Sequence, residues 1–170
     1  MPFTYRRLRR HCRLLMDRLR LPRELSVEEL CEHLARQRGR ALYLHPLPPQ
    51  VTSGGACGIW MATDTEDHIF SEARTTRFHR EHIILHEIAH MLLDHHHIGP
   101  SHGTGPLQHL FTDLDPETVR RLLARTNYIS RQEQEAEMLA SLIKTVVLRT
   151  EDDQQTEVLR KLSEALGVDA

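Results

Sequence analysis

The stretch Leu85–His97, LHEIAHMLLDHHH, gathers five of the chain's thirteen histidines around one glutamate. On a helix His86 and His90, four residues apart, project from one face a turn apart, so both imidazoles can reach a single tetrahedral ion. Glu87 lies beside them and is not expected to coordinate. The H-E-x-x-H pattern needs it as the base that takes a proton from the attacking water. The surrounding residues Ile83, Ile84, Leu85, Ile88, Ala89, Met91, Leu92 and Leu93 are apolar, which predicts a largely buried helix. Unpaired imidazoles are costly in such a place, and a metal satisfies them. The competing reading is a helix whose histidines hydrogen-bond to neighbours or water.

A catalytic zinc with an open position needs a third protein ligand. His96 stands at the offset that H-E-x-x-H-x-x-G-x-x-H requires, but Leu93 occupies the glycine position, where leucine favours continuing the helix over a sharp turn. A carboxylate from a later helix is preferred. The segment SRQEQEAEMLASL, 130–142, sets Glu133 and Glu137 one turn apart on a stripe with Ala136 and Ala140, small residues that allow close approach to the zinc helix. Glu133 is the expected ligand, in preference to serving as capping-box partner of Ser130. Glu137 is expected to accept the free ring N–H of a ligand histidine. Glu135, about 200° further round an ideal helix, is the second choice. His82 and Asp94 extend the zinc helix stripe by a turn on either side, where they could line the cleft or orient a ligand; for His82 a packed neighbour is the stronger reading. His95, His96 and His97 read as a helix end or loop. His102, His109 and Tyr128 are candidates to steady an oxyanion, although a solvent-facing or core-edge role is the stronger reading for each.

Upstream, 4–20 carries Leu8, Leu14, Leu15, Met16 and Leu19 at helical spacing, with seven arginines on the remaining surface. A second helix is announced by the capping box Ser26/Glu29 and stopped by Gly39, with Leu25, Leu30 and Leu34 as its buried side. RALYLHPL, ACGIWMAT and DHIFSEA, within 40–73, are short apolar or alternating segments bounded by Pro, Gly and TDTED. They suit a small sheet, the last two as an antiparallel hairpin, with Trp60 and Phe70 in the core. The zinc helix should run from about Thr76 through Asp94, until HHHIGPSHGTGP breaks it. Further helices are expected after Asp115, from Ser130 to about Leu148, and over 154–166.

The expectation is one domain over 1–170: helices in 1–39, a small sheet in 40–75, the zinc helix and C-terminal helices in 76–170. Its class is α+β, mainly helical, with a small antiparallel or mixed three-stranded sheet packed beside a buried H-E-x-x-H helix. The chain has 170 residues and a formal charge of -2, enough for an ordinary core and no global attraction to nucleic acid. Cys12, Cys31 and Cys57 are widely spaced and odd in number, which suggests buried thiols in a reducing cytosol. No apolar run approaches a bilayer span and the start lacks a signal-peptide core, so a soluble cytoplasmic protein without a membrane partner is expected.

These residues resemble the ImmA/IrrE family of zinc metallopeptidases. The similarity covers about Ala41 to Leu148: a strand, a glycine-containing hairpin, RFHREHIILHEIAHMLLDH and EQEAEMLASLI, the last similar to the family's E-x-E-A-(D/N)-x-F-A-x-x-L. His86, Glu87, His90 and Glu133 match the family's zinc and catalytic positions. Glu137 departs from its usual Asp or Asn, and Leu139 from its frequent Phe. The resemblance implies a cytoplasmic endopeptidase with one Zn²⁺ per chain, acting on a protein substrate such as a helix-turn-helix repressor, with nucleic acid not expected as a direct partner. The alternative is a zinc-stabilised regulatory module that binds a transcription factor or DNA through its arginine-rich first helix without cleaving anything. A third reading is a metal-free helical interaction domain.

Overall fold

The structure, a computed structural model, describes residues 2–22, 24–48, 57–95 and 130–147. Helix α1 (Pro2–Leu19) and helix α2 (Val27–Arg38) come first. On α1 the buried stripe runs through Leu8, Cys12, Leu15, Met16 and Leu19. Leu14, expected on that stripe, is 51% exposed, because it stands about 100° from Leu15 around the helix. All seven arginines of α1 and its C-terminal end are exposed. The last turn of α1 is tied to α2, whose Gln37 and His33 side chains reach the Leu19 carbonyl at 2.7 and 3.2 Å.

Both ends of α2 follow its sequence. Ser26 Oγ accepts from the Glu29 N–H while the Glu29 carboxylate accepts from the Ser26 N–H, closing the capping box. At the other end Gly39 adopts φ +63°. Its N–H donates to the Arg36 carbonyl and that of Arg40 to the Ala35 carbonyl, the paired bonds of a Schellman turn.

Three strands follow: β1 (Ala41–Pro46), β2 (Gly58–Ala62) and β3 (Glu66–Ser71), in the spatial order β1-β3-β2. β2 and β3 form the antiparallel hairpin, and β1 pairs parallel to β3, so the sheet is mixed. Register sets Leu44, Ile69 and Trp60 side by side, and all three join the helical core. Two residues before Ile69, Asp67 also points inward and is 1% exposed. It is satisfied by Arg38 Nη2, Arg40 Nε and Trp60 Nε1, each at 3.2 Å, as a buried carboxylate must be. Arg40 also donates to the Thr63 and Asp64 carbonyls in the hairpin turn, pinning it to the start of β1.

Helix α3 (Arg77–Leu92) is capped by Thr76 and packs across β2 and β3, burying Ile83, Ile84, Leu85, Glu87, Ile88, Ala89, His90 and Met91. It ends two residues short of the expected Asp94. Asp94 takes φ +54°, its N–H bonds the Met91 carbonyl, and the His95 N–H bonds the His90 carbonyl at 3.0 Å. This is a second Schellman turn, with aspartate in the left-handed position that Gly39 fills on α2.

Residues 130–147 form the helix we call α4. Its face of Ala136, Leu139, Ala140, Ile143 and Val147 is buried in the common core with α1, α2, α3 and the sheet. Ser130 is the first described residue of this helix. The chain is therefore a mainly helical α+β fold with a small mixed sheet. Cys12 and Cys31 are buried, and burial pushes their thiols up to about 11 and about 12. Cys57 is exposed, against expectation, because it precedes β2 outside the sheet. Among the described residues no helix is long and apolar enough to cross a membrane. The helices expected after Asp115 and over 154–166, the loop after His97, and His96, His102, His109 and Tyr128 lie outside the described residues.

Candidate metal centre

Helix α3 presents His86 and His90 from one face, and α4 brings Glu133 against them. His86 Nε2 and His90 Nε2 are 3.1 Å apart. The Glu133 carboxylate turns one oxygen to each, at 3.3 Å from His86 Nε2 and 3.5 Å from His90 Nε2. Taking one donor atom from each residue, all three lie within 4.8 Å of one another, so this group could hold a metal ion. The spacing agrees with that use: ligand atoms at the 2.0–2.1 Å usual for zinc occupy tetrahedron corners roughly 3.3–3.4 Å apart. Two imidazole nitrogens and a carboxylate oxygen also match zinc better than calcium or magnesium, which favour all-oxygen shells. His90 is fully buried, while Glu133 is 44% exposed, so the donor group opens toward solvent on the Glu133 side.

Glu87 is buried behind the histidines. Burial, with the charge of Glu133 adding to it, pushes its carboxyl up to about 8, although a hydrogen bond from the Trp60 backbone works the other way. Its Oε2 has no hydrogen-bond partner among the described residues. A buried carboxyl oxygen without a partner among the described residues, next in sequence to a candidate metal ligand, marks Glu87 as a candidate functional group. β2 makes room for it. A Cβ on Gly58 would stand 2.7 Å from Glu87 Oε1 and 2.7 Å from Ile83 Cγ2, so only glycine lets the strand run so close.

Two sets of contacts reach the outer nitrogens of the histidines. Glu137 Oε2 is 3.3 Å from His86 Nδ1 and 3.4 Å from His82 Nε2, so the carboxylate bridges two histidines one turn apart. On the other side His90 Nδ1 is 3.0 Å from His95 Nδ1, whose Nε2 is 3.2 Å from Glu135 Oε2. Arg131 Nε donates to Glu135 Oε1 at 2.9 Å. Burial holds His95 below the usual histidine range, with Glu135 opposing it. For Glu135, burial alone would raise the pKa, but the bonds from Arg131 and His95 outweigh it and hold the carboxyl below its ordinary value.

The structure thus brings together His86, His90 and Glu133, sets Glu87 beside them, and puts Glu137 and His82 in one chain of contacts with His86. Glu135 stands apart from the donor group, on His95. The spacing argument missed Gly58 and the contacts of two residues it had named otherwise: His95 meets His90, and Glu135, the second choice as ligand, meets His95 instead. Gly58 stood unmarked inside the strand segment ACGIWMAT, and the contact of His95 with His90 was not foreseen because nothing marked Asp94 as a turn residue. A groove of about 560 Å³ adjoins the site between α3 and α4, lined by Phe78, His79, His82, Ser141, Lys144 and Thr145. In it Lys144 Nζ sits 3.4 Å from the centre of the Phe78 ring. No protein-family model matches the chain, and no curated protein matches it in sequence.

Proposed function

We propose that this chain is a zinc-dependent endopeptidase of the ImmA/IrrE kind, hydrolysing a peptide bond in a regulatory protein such as a helix-turn-helix repressor. The observation that carries the reading is the convergence of His86 Nε2, His90 Nε2 and Glu133, with the buried Glu87 carboxyl alongside, one oxygen of which has no partner among the described residues. His86, His90 and Glu133 would hold the ion and leave it one open position. When bound there, a zinc ion supplies Lewis acidity, lowering the pKa of water toward about 7 and polarising a scissile carbonyl.

The rest of the chemistry belongs to the protein. Glu87, brought back toward its ionised form by a neighbouring cation, takes a proton from the attacking water and returns it to the leaving amine nitrogen. Its dry surroundings keep the proton on that path, and Gly58 keeps the carboxyl in place. β2 is an edge of the three described strands and passes Glu87, so an extended peptide could add to it by main-chain hydrogen bonds. The groove of Phe78 and Lys144 offers an apolar ring and an ammonium to a side chain of the bound peptide.

Elemental analysis of protein purified without a histidine tag tests the metal, with about one zinc per chain expected. Incubation with the product of an adjacent regulator gene tests the hydrolysis. Glu87→Gln is expected to retain zinc and lose cleavage by about 10²–10⁴-fold. A zinc-loaded wild type that leaves the regulator intact would sink the peptidase reading. The seven exposed arginines around α1 favour the second reading, a zinc-stabilised module that binds a transcription factor or DNA. Partner binding and biological effect unchanged by Glu87→Gln would select it.

A further inference from the structure

We propose that His95, backed by Glu135, is a positioning residue that fixes the tautomer of His90 and so presents a bare Nε2 to the ion. The inference rests on the reading that His86, His90 and Glu133 are metal ligands, and adds a residue which that reading did not require.

The proton positions follow from the chain of contacts. Glu135, ionised and paired with Arg131, can only accept, so His95 Nε2 at 3.2 Å must carry a hydrogen. A neutral imidazole has one N–H, which leaves His95 Nδ1 as an acceptor. His90 Nδ1, 3.0 Å away, then donates. By the same count His90 Nε2 carries a lone pair on the side of His86 and Glu133. The opposite arrangement puts a lone pair of His95 against a carboxylate at 3.2 Å in a buried place. It also puts a hydrogen on His90 Nε2, where it would bond Glu133 and block coordination. Glu135 therefore selects the tautomer that can bind metal, through one intervening ring.

The backbone makes this possible. In a Schellman turn the residue after the left-handed position folds back on the third-last residue of the helix, usually in an apolar contact. Here those residues are His95 and His90, so the helix-stop geometry sets the two rings 5.1 Å apart, edge to face. The two ligands are thus oriented by different means: His86 directly by the carboxylate of Glu137, His90 by a carboxylate one imidazole further away.

The experiment combines ¹⁵N NMR of the ring nitrogens in metal-free protein with zinc affinity by chelator competition. In wild type, His90 is expected as the Nδ1–H tautomer. His95→Leu should move His90 toward Nε2–H and weaken zinc binding by about 10- to 100-fold, the usual range for an orienting partner of a metal ligand. His95→Asn should restore most of the affinity, since its amide oxygen can accept from His90 Nδ1. Glu135→Ala keeps the His95 ring in its packed place and should also shift the His90 tautomer, covering the case in which His95→Leu does not fold. A wild-type chain that binds zinc while His95→Leu and Glu135→Ala bind it equally well overturns the inference. So does a His90 tautomer unchanged in both variants. If wild type binds no zinc, the ligand reading fails, and the NMR comparison still decides whether His95 and Glu135 set the His90 tautomer.

Discussion

Gly58 and Glu87 meet so closely that no side chain fits between strand and helix: a Cβ on Gly58 would lie 2.7 Å from the Glu87 carboxyl oxygen. Gly58→Ala must push Glu87 or Ile83 aside. Overpacking of this kind typically costs about 1–3 kcal/mol. A thermal melt should show that loss, and hydrolysis, if it occurs as proposed, should fall more than stability accounts for. Unchanged melting and turnover would show that the contact relaxes freely.

The Asp67 carboxylate holds α2, β1, β2 and β3 together through Arg38, Arg40 and Trp60. Removing one partner of a buried ion pair costs about 3–5 kcal/mol when the other charge stays buried. Arg38 and Arg40 are 32% and 27% exposed, so solvent screens them and the expected loss for Asp67→Ala is nearer 2–3 kcal/mol. Asp67→Asn, which keeps an acceptor for Trp60, should lose less. Urea midpoints at pH 7 distinguish the two.

Glu87 makes the stability of the metal-free protein depend on pH. Its carboxyl rises from 4.5 to about 8 on folding, chiefly through burial. Between those values the native chain holds a proton that the unfolded chain has released. Stability therefore falls as pH rises through that window, the direction opposite to that of a salt-bridged carboxylate. Denaturation in chelator from pH 5 to 8 should show this decline, and Glu87→Gln should flatten it.

Metal affinity should respond in the reverse sense. His86 and His90 coordinate only when neutral and Glu133 only when ionised, so zinc binding should weaken between about pH 7.5 and 5. Glu133→Ala or His90→Ala should lower affinity by more than the 10- to 100-fold typical of an orienting residue. Flat affinity across that range, or zinc content unaffected by either variant, would remove the ligand assignment.

Much of this architecture was legible in the residues. The capping box at Ser26, Gly39 as a stop, the apolar alternation of the strands and the small-residue stripe of α4 each act locally, so their spacing carries the structure they make. The convergence of α3 and α4 was anticipated from His86, His90 and Glu133 because helical periodicity fixes which residues share a face. The parallel pairing of β1 with β3 was left open, since strand order depends on contacts between distant segments. His95 does lie at the helix end, as read, but its contact with His90 was not anticipated, for a different reason. Aspartate tolerates the left-handed conformation only where the surrounding turn requires it, so Asp94 gave no local sign that the helix stops there. Glu135, on the side of α4 away from the donor group, meets its partner only through that turn.

The donors all stand on helices, and α4 meets the core through Ala136 and Ala140, which have no exposed surface at all. Such packing cannot spread to fit a wider ion without opening voids, and voids in a close-packed interior are destabilising. Calcium, which seeks six to eight oxygens at 2.3–2.6 Å, would have to force the scaffold apart. If the donor group holds a cation as proposed, two methyl groups serve as a gauge: the girth of alanine, as well as the affinity of histidine, bears on which cation fits.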